Sequence, residues 1–242
     1  TLHHRSIGFV HTMGNLHRGH LSLCERAYRE NDLTVVCIFV NPTQFNVQDD
    51  FKHYPRTLDA DIALLKEQQV DFLICPEEDE LYCDHYHIQI HETSLSRELE
   101  GRHRPKHFIG MLTVVLKLLL LVLPNRAYYG EKDYQQLLLI KKMTEALFIP
   151  TEIIGCLTVR DHDQLALSSR NHRLTHVERK IASHFPRLLL SDFSLEEIIH
   201  ELRLLGFKVD YIVEQWQRRL GAVWLNQIRL IDNVLLKGDV IG

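Results

Sequence analysis

The segment IGFVHTMGNLHRGHLSL, residues 7–23, constrains the fold of this 242-residue chain more than any other. It begins with the apolar run Ile7–Val10, which predicts a buried β-strand. Gly14 and Gly19 then indicate a tight turn, and apolar residues follow at helical spacing. In α/β proteins a strand, a glycine turn and a helix present a helix N-terminus to a phosphate group.

His17 and His20 are one helical turn apart, so both can project from one side of this predicted helix start. Two imidazoles add hydrogen-bond donors there, and each can carry a charge near neutral pH. The pattern therefore favours a site for a phosphate chain whose charge shifts during a displacement reaction. The alternative is a pair of surface histidines on an ordinary strand-to-helix turn.

Further apolar runs alternate with helical patterns along the chain. The runs at residues 33–40, 70–75, 126–129 and 151–160 predict strands, and residues 85–91 predict a half-exposed strand. Because the first runs contain few polar residues, we expect an α/β fold, a Rossmann-like parallel sheet with helices on both faces, over residues 1–172. Residues 173–242 predict a smaller helix-rich α+β C-terminal domain with a strand near 228–236.

Composition limits the class of protein. The net charge is −4 with both signs mixed, so no basic field favours nucleic acid. The five cysteines include no C-x-x-C pair. Cys37 and Cys75 lie in apolar runs, which predicts buried thiols in a protein of the reducing cytoplasm. A disulfide between Cys75 and Cys83 is the less favoured alternative. The apolar run 111–123 contains Lys117 and is too short to span a bilayer, so it predicts a buried helix. The acidic run 77–80 predicts a solvated face or, less favoured, a metal cluster.

Polar loops follow several predicted strands. Because the carboxyl ends of parallel strands line one crevice, the loops at Asn41 and Gly130 should face His17 and His20. Lys132 suits a phosphate and Asp133 suits a ribose hydroxyl. The triplet 168–170, Ser-Ser-Arg, and the basic loop 100–108 predict anion contacts, or else charged surface.

Seven motifs occur in order: TMGNLHRGHLSL, IFVNPTQF, YPRT, RPKHFIG, GEKDYQQL, LALSSRN and RLIDN. Together they resemble the pantothenate synthetase (pantoate–β-alanine ligase) family of the HIGH-motif nucleotidyltransferase superfamily. The resemblance is close over about residues 7–175 and thin beyond, up to the RLIDN stretch. It implies an enzyme that condenses pantoate with β-alanine through a pantoyl adenylate, uses ATP with Mg²⁺, and releases pyrophosphate and AMP in coenzyme A biosynthesis. It also implies a cytoplasmic homodimer that binds neither nucleic acid nor membrane.

The resemblance also implies roles for individual residues. Its ATP-binding positions are Met13, Gly14, Asn15, Leu16, His17, Arg18, Gly19, His20, Gly130, Glu131, Lys132, Asp133, Val159, Leu167, Ser168, Ser169 and Arg170. The catalytic positions among them are His20 (the family's proton donor), His17, Lys132, Ser168, Ser169 and Arg170. Its substrate-binding positions are Gln44, Gln136, Asn41, Thr12 and Met13.

Three positions depart from the family pattern. The family usually has proline at His11, methionine at Thr43 and glycine at Gln164, where glycine would allow a positive φ. Two rival functions stay open: another adenylyltransferase of the superfamily, acting on a phosphorylated acceptor, and a non-catalytic nucleotide-binding protein.

Overall fold

The structure, a computed structural model, describes residues 5–46 and 51–236. It forms two compact units that divide between Leu157 and Thr158. The division precedes the expected boundary at residue 172, because Arg160 and Leu165 bond and pack with residues of the C-terminal unit. None of the helices in the described ranges is long and apolar enough to cross a membrane.

The N-terminal unit is built on a parallel five-stranded sheet in the order β3-β2-β1-β4-β5. Its strands are β1 (Ile7–Thr12), β2 (Leu33–Ile38), β3 (Phe72–Ile74), β4 (Arg126–Gly130) and β5 (Glu152–Cys156). Its helices are α1 (Arg18–Glu30), α2 (Leu58–Glu67), α3 (Glu78–Leu81), α4 (Leu99–His103), α5 (His107–Val122) and α6 (Tyr134–Ala146). The chain order reverses between β1 and β4, and ligands bind at such switch points in open α/β sheets.

Both faces of this sheet are covered. Phe9 and Val10 are adjacent in β1, so their side chains point to opposite faces, and both are fully buried. On one face Val10 packs in a cluster with Cys24 and Ala27 of α1. The predicted Rossmann-like fold is confirmed.

The C-terminal unit combines helices with an antiparallel sheet in the order β6-β7-β8. The elements are α7 (His176–Ala182), α8 (His184–Leu190), α9 (Leu195–Leu204), β6 (Lys208–Gln215), β7 (Arg218–Leu225) and β8 (Ile228–Leu235). Phe185 and Ile198 from the helices share a core with Val223 of the sheet. The expected final strand is present as β8, but the sequence interpretation missed β6 and β7, which turn through Trp216 and Gln217 in left-handed backbone.

Two local expectations were wrong, and the favoured interpretation of the acidic run 77–80 as a solvated face was right, since all four residues are exposed. Residues 85–91 form no strand, because the chain turns at His85 and Tyr86 with positive φ and leaves Ile88 exposed. Cys75 is exposed, because β3 is an edge strand, and it is a free thiol like Cys83. The acidic run lies on the short α3, and the part of the chain that the structure describes contains no cluster of metal-ligating side chains.

Candidate active site

Helix α1 begins at the carboxyl end of β1 with a cap made of two histidines. His17 is the N-cap, and its Nδ1 accepts a hydrogen bond from the Gly19 N–H at 3.1 Å. The His17 N–H in turn donates to Nδ1 of His20 at 3.4 Å, and the two rings stack with centroids 4.0 Å apart. Because both Nδ1 atoms accept, each neutral ring carries its proton on Nε2. The sequence placed both Gly14 and Gly19 in a tight turn. In the structure only Gly14 lies in the turn, with φ 78°, and Gly19 lies in the first turn of α1.

The charge state of this histidine pair differs from the expectation. Burial, with the positive charge of Lys132, lowers the pKa of His17 to about 4. Burial, with His17 and Lys132, lowers the pKa of His20 to about 3. Both rings are therefore neutral donors at pH 7, whereas the sequence analysis allowed either to carry a charge there. Lys132, which follows β4 directly, supplies the positive charge that acts on both rings.

The turn before the helix is held by a residue that the sequence interpretation missed. Asp61 of α2 is 2% exposed, and its carboxylate accepts hydrogen bonds from the Asn15 N–H at 2.9 Å and the Leu16 N–H at 2.8 Å. The Thr57 hydroxyl donates to the same carboxylate at 3.1 Å. Asn15 adopts φ 51°, so the turn combines left-handed backbone with a buried anchor. The sequence does not reveal this role, since nothing in it shows which groups lie opposite Asp61.

Gln44 reaches the same region from the turn after β2. Its Nε2 donates to Sδ of Met13 at 2.8 Å, and its Oε1 accepts from Asn41 Nδ2 at 3.2 Å. Asn41 was expected at the rim of the site, but it is completely buried. Its Nδ2 also donates to the Gly110 carbonyl at 3.1 Å. These contacts let Asn41 orient Gln44. The hydroxyl of Thr12, another residue expected to contact substrate, accepts a hydrogen bond from the Gly14 N–H at 3.1 Å.

Thr43, where the family usually has methionine, takes part in a hydrogen-bond cluster around Asn41. Its hydroxyl donates to Asn41 Oδ1 at 3.0 Å, and the Tyr82 hydroxyl donates to the same oxygen at 2.8 Å. A Cβ added to Gly110 would lie 2.5 Å from the Thr43 carbonyl oxygen. Glycine at 110 therefore lets α5 approach the turn that carries Gln44.

The loop after β4 supplies a second set of polar groups. Nζ of Lys132 lies 3.7 Å from a carboxylate oxygen of Asp133. Gly130 has an ordinary φ of −71°, and a Cβ there would meet nothing within 4 Å. The fold itself does not require glycine at this position, so the space beside it is open to a ligand. Gln136 is partly buried, whereas Gln135 is buried and its side chain bonds the backbone of the segment 95–100.

The remaining expected site residues lie together in the C-terminal unit. The Val159 carbonyl accepts from the Leu167 N–H at 3.0 Å. The Ser168 hydroxyl accepts from the Arg170 N–H at 3.3 Å. Ser168, Ser169 and Arg170 are all partly exposed.

His11 of β1 is one of the three positions that depart from the family pattern, and it precedes the histidine cap in the sequence. Its Nε2 is buried and has no hydrogen-bond partner among the residues that the structure describes. Burial lowers its pKa to about 4. A buried imidazole of this kind stays neutral where an exposed one would bind a proton.

We expect His11 to reduce stability in acid. Its pKa is about 6.5 when unfolded and about 4 when folded, so its contribution is complete above pH 6.5 and is lost as the pH falls towards 4. At pH 5 the loss relative to pH 8 should reach about 2 kcal/mol. Urea unfolding of wild type and His11→Leu at both pH values measures this.

Between pH 8 and pH 5, the free energy of unfolding of His11→Leu should fall by about 2 kcal/mol less than that of the wild type. The exposed His200 of α9 provides the control, because a His200→Leu substitution should leave the pH dependence as it is in wild type. Equal drops in wild type and His11→Leu would contradict the assignment.

A Rossmann-like sheet whose switch point carries a histidine-capped helix and a lysine defines a nucleotide-binding α/β protein. The chain also matches the family model described as pantoate-beta-alanine ligase over residues 1–235. It belongs to the pantoate–β-alanine ligase family and is an enzyme.

Individual relatives agree with this assignment. The pantothenate synthetase of Legionella pneumophila (strain Corby) is 54% identical over 231 residues, which cover 96% of this chain and 92% of the relative. That of Coxiella burnetii (strain RSA 493) is 52% identical over 239 residues, with 99% and 93% covered.

Solved structures show the same fold. The crystal structure of pantoate-beta-alanine ligase from Francisella tularensis, complexed with beta-gamma ATP and beta-alanine, superposes with a TM-score of 0.91 at 46% identity and covers 96% of this chain and 90% of that one. Pantothenate synthetase from Thermus thermophilus has a TM-score of 0.88 at 42% identity, with 95% and 93% covered.

Proposed function

We propose that this enzyme condenses pantoate with β-alanine in two ATP-dependent steps. A carboxylate oxygen of pantoate attacks the α-phosphorus of ATP, the bond to pyrophosphate breaks, and pantoyl adenylate forms. The β-alanine amine then attacks the acyl carbon, AMP leaves with the electron pair of the C–O bond, and the amine loses a proton to give pantothenate. The observation that carries the proposal is the pair of neutral imidazole donors beside Lys132 at a helix N-terminus.

The first step is limited by charge. The pantoate carboxylate is already ionised at pH 7, so it needs no strong base. Its approach to the triphosphate is opposed by repulsion between anions. The Nε2–H groups of His17 and His20, the ammonium of Lys132 and the dipole of α1 offset that repulsion, and they act where the charge of the leaving pyrophosphate develops.

Magnesium enters this scheme as part of the substrate, MgATP. The described residues contain no group of three His, Cys, Asp or Glu side chains that could hold an ion by themselves. Mg²⁺ commonly binds through phosphate oxygens with few protein ligands, which fits such a site.

Two glutamines are proposed to recognise pantoate. An amide offers both a donor and an acceptor, which suits a ligand with hydroxyls and a carboxylate. Gln44 is held by Met13 and Asn41, and we assign it to pantoate close to β-alanine. Gln136 is partly exposed on α6, and we assign it to the hydroxyl and carboxylate end of pantoate.

The remaining assignments concern ATP and assembly. We assign Gly130 and Asp133 to the ribose and the backbone of Val159 to the adenine. The triplet Ser168, Ser169 and Arg170 is assigned to the phosphates. We also propose a cytoplasmic homodimer, as in the family; sedimentation of the purified chain at twice the monomer mass would support the dimer, and a single monomer species would contradict it.

Pyrophosphate exchange into ATP tests the proposed reaction. We expect exchange that depends on pantoate and does not require β-alanine, because only the first step needs to reverse. A different adenylyltransferase would exchange pyrophosphate only with another acceptor, and a non-catalytic nucleotide-binding protein would show no exchange. Exchange without dependence on pantoate would refute the ligase assignment.

The open space at Gly130 leads to a separate prediction. A Gly130→Ala variant should fold normally, because the added methyl group meets no neighbour in the protein. It should raise the Kd for ATP about tenfold if the ribose occupies that space, the size of effect expected from one misplaced contact of about 1.4 kcal/mol. Calorimetric titration and thermal unfolding measure both quantities.

Gly110→Ala is the opposite case and serves as the comparison. Its methyl group would collide with the Thr43 backbone, so it should lower the melting temperature. If Gly130→Ala binds ATP with unchanged affinity, the assignment of Gly130 to the ribose is wrong.

A further inference from the structure

The loop between Val159 and Leu167 is a narrow hairpin within the C-terminal unit. The Asp161 N–H donates to the Leu165 carbonyl at 2.9 Å, and the Leu167 N–H donates to the Val159 carbonyl at 3.0 Å. Arg160 and Ala166 pair in antiparallel fashion between these bonds. The two ends of this hairpin carry the groups assigned above to adenine and to the phosphates, so its shape sets where they lie.

The tip of the hairpin is strained. Gln164, which stands where the family usually has glycine, adopts φ 72°. A side chain is disfavoured in this left-handed conformation, so the surrounding contacts must hold it. Its carbonyl accepts a hydrogen bond from Nη1 of Arg160 at 3.0 Å.

Arg160 is in turn fixed by a buried carboxylate on β8. Nη1 and Nη2 of Arg160 donate to the two oxygens of Asp232 at 2.6 and 3.0 Å, and Nη2 also donates to the Asn233 carbonyl at 3.2 Å. The Asp232 side chain is 2% exposed. A two-pronged pair of this kind sets both the position and the plane of the guanidinium.

A second arginine holds the other side of the tip. Arg179 of α7 contacts Asp163 at 2.7 Å through Nε and Asp161 at 2.6 Å through Nη2. The ion pairs of Arg179 therefore link the hairpin to α7, and the ion pair of Arg160 links it to β8. Of the two, the contact through Arg160 is the one that reaches the strained Gln164.

We propose that Asp232, acting through Arg160, is a positioning residue for the nucleotide: it fixes the hairpin that presents Val159 and Ser168 to ATP. This gives the RLIDN motif, which no step of the reaction uses, a role in the site. The inference rests on the proposed function, because that assigns the hairpin to ATP. It adds that ATP affinity depends on a carboxylate that does not touch the ligand.

The same sheet offers a matched control. Arg229 of β8 and Asp210 of β6 form an ion pair at 2.8 Å, with side chains 12% and 9% exposed. The Trp224 indole N–H also donates to Asp210 at 3.1 Å. This pair links strand to strand, so breaking it should lower the stability of the unit without releasing the hairpin.

The experiment compares Asp232→Asn with Asp210→Asn in the full chain. Two readouts are measured: hydrogen exchange at the Leu167 amide without ligand, and the Kd for a non-hydrolysable ATP analogue by calorimetry. For Asp232→Asn we expect amide exchange to become at least tenfold faster and the Kd to rise about tenfold. Asp210→Asn should lower the melting temperature with less than twofold change in either readout. Arg160→Lys keeps the positive charge but loses the two-pronged contact with Asp232, so it should behave like Asp232→Asn. If Asp232→Asn fails to fold, Arg160→Lys takes its place in the experiment.

Two results would overturn the inference. If Asp232→Asn behaves as Asp210→Asn at the Leu167 amide, Asp232 does not position the hairpin. If exchange accelerates but the Kd is unchanged, the hairpin is positioned by Asp232 but does not serve ATP. Because neither readout involves turnover, both stay separate from the pyrophosphate exchange that decides the proposed reaction.

Discussion

His20→Ala is expected to reduce the rate of pantoate-dependent pyrophosphate exchange by about 10²–10³-fold, or about 3–4 kcal/mol in the transition state. In the proposed reaction, the variant removes one preorganised Nε2–H donor from the place where charge develops on the leaving pyrophosphate. The Kd for ATP should change much less, because the ground-state triphosphate keeps Lys132 and His17. Rapid-mix exchange and calorimetry separate the two effects.

The charge state of His20 sharpens this test. Because burial lowers its pKa to about 3, the ring acts as a neutral donor at pH 7. His20→Gln retains an N–H near the position of Nε2, so it should keep more activity than His20→Ala. The exposed His200 of α9 supplies a control that should exchange at the wild-type rate when changed to alanine. Near-normal exchange in His20→Ala would exclude it as a catalytic donor.

Asp61→Ala is expected to lower the free energy of unfolding by about 3 kcal/mol and to abolish most of the exchange activity. The substitution leaves the N–H groups of Asn15 and Leu16 without their acceptor, and hydrogen bonds to a charged group contribute roughly 1.5–3 kcal/mol each. The turn that aims His17 would then lose its anchor. Urea unfolding and the exchange assay report the two losses.

The neighbouring Asp59 provides the matched control. It lies in the same first turn of α2, where it shares the favourable interaction with the helix dipole, but it is exposed. Asp59→Ala should cost about 0.5 kcal/mol and leave exchange intact. If Asp59→Ala and Asp61→Ala lose equal stability, the dipole and not the backbone anchor explains Asp61.

Structural features that depend on neighbouring residues could be predicted from the sequence, whereas those that depend on distant residues could not. The parallel strands are short runs with few polar residues, and polar loops follow their carboxyl ends. The sheet and the helix start around His17 could therefore be predicted. The hairpin between β6 and β7 turns through Trp216 and Gln217, and neither residue type signals left-handed backbone.

The parts of the site that the sequence did not show arise from long-range contacts. Asp61 meets the Asn15 backbone across 46 positions of sequence. The lowered pKa of His17 depends on burial and on Lys132 from the turn after β4. The choice between Gln135 and Gln136 is likewise made by tertiary packing, which buries Gln135 against the segment 95–100.

The stacked histidine cap of the free enzyme presents its two N–H donors without first taking up protons. In the free enzyme the pKa values of His17 and His20 lie near 4 and 3, so neither ring titrates near neutral pH. Each therefore works as a fixed dipole whose direction is set by a backbone N–H. Mild acid therefore leaves these donors in place in the free enzyme. In the proposed reaction, the acidic side of the activity profile should then reflect the β-alanine amine, which must be deprotonated to attack.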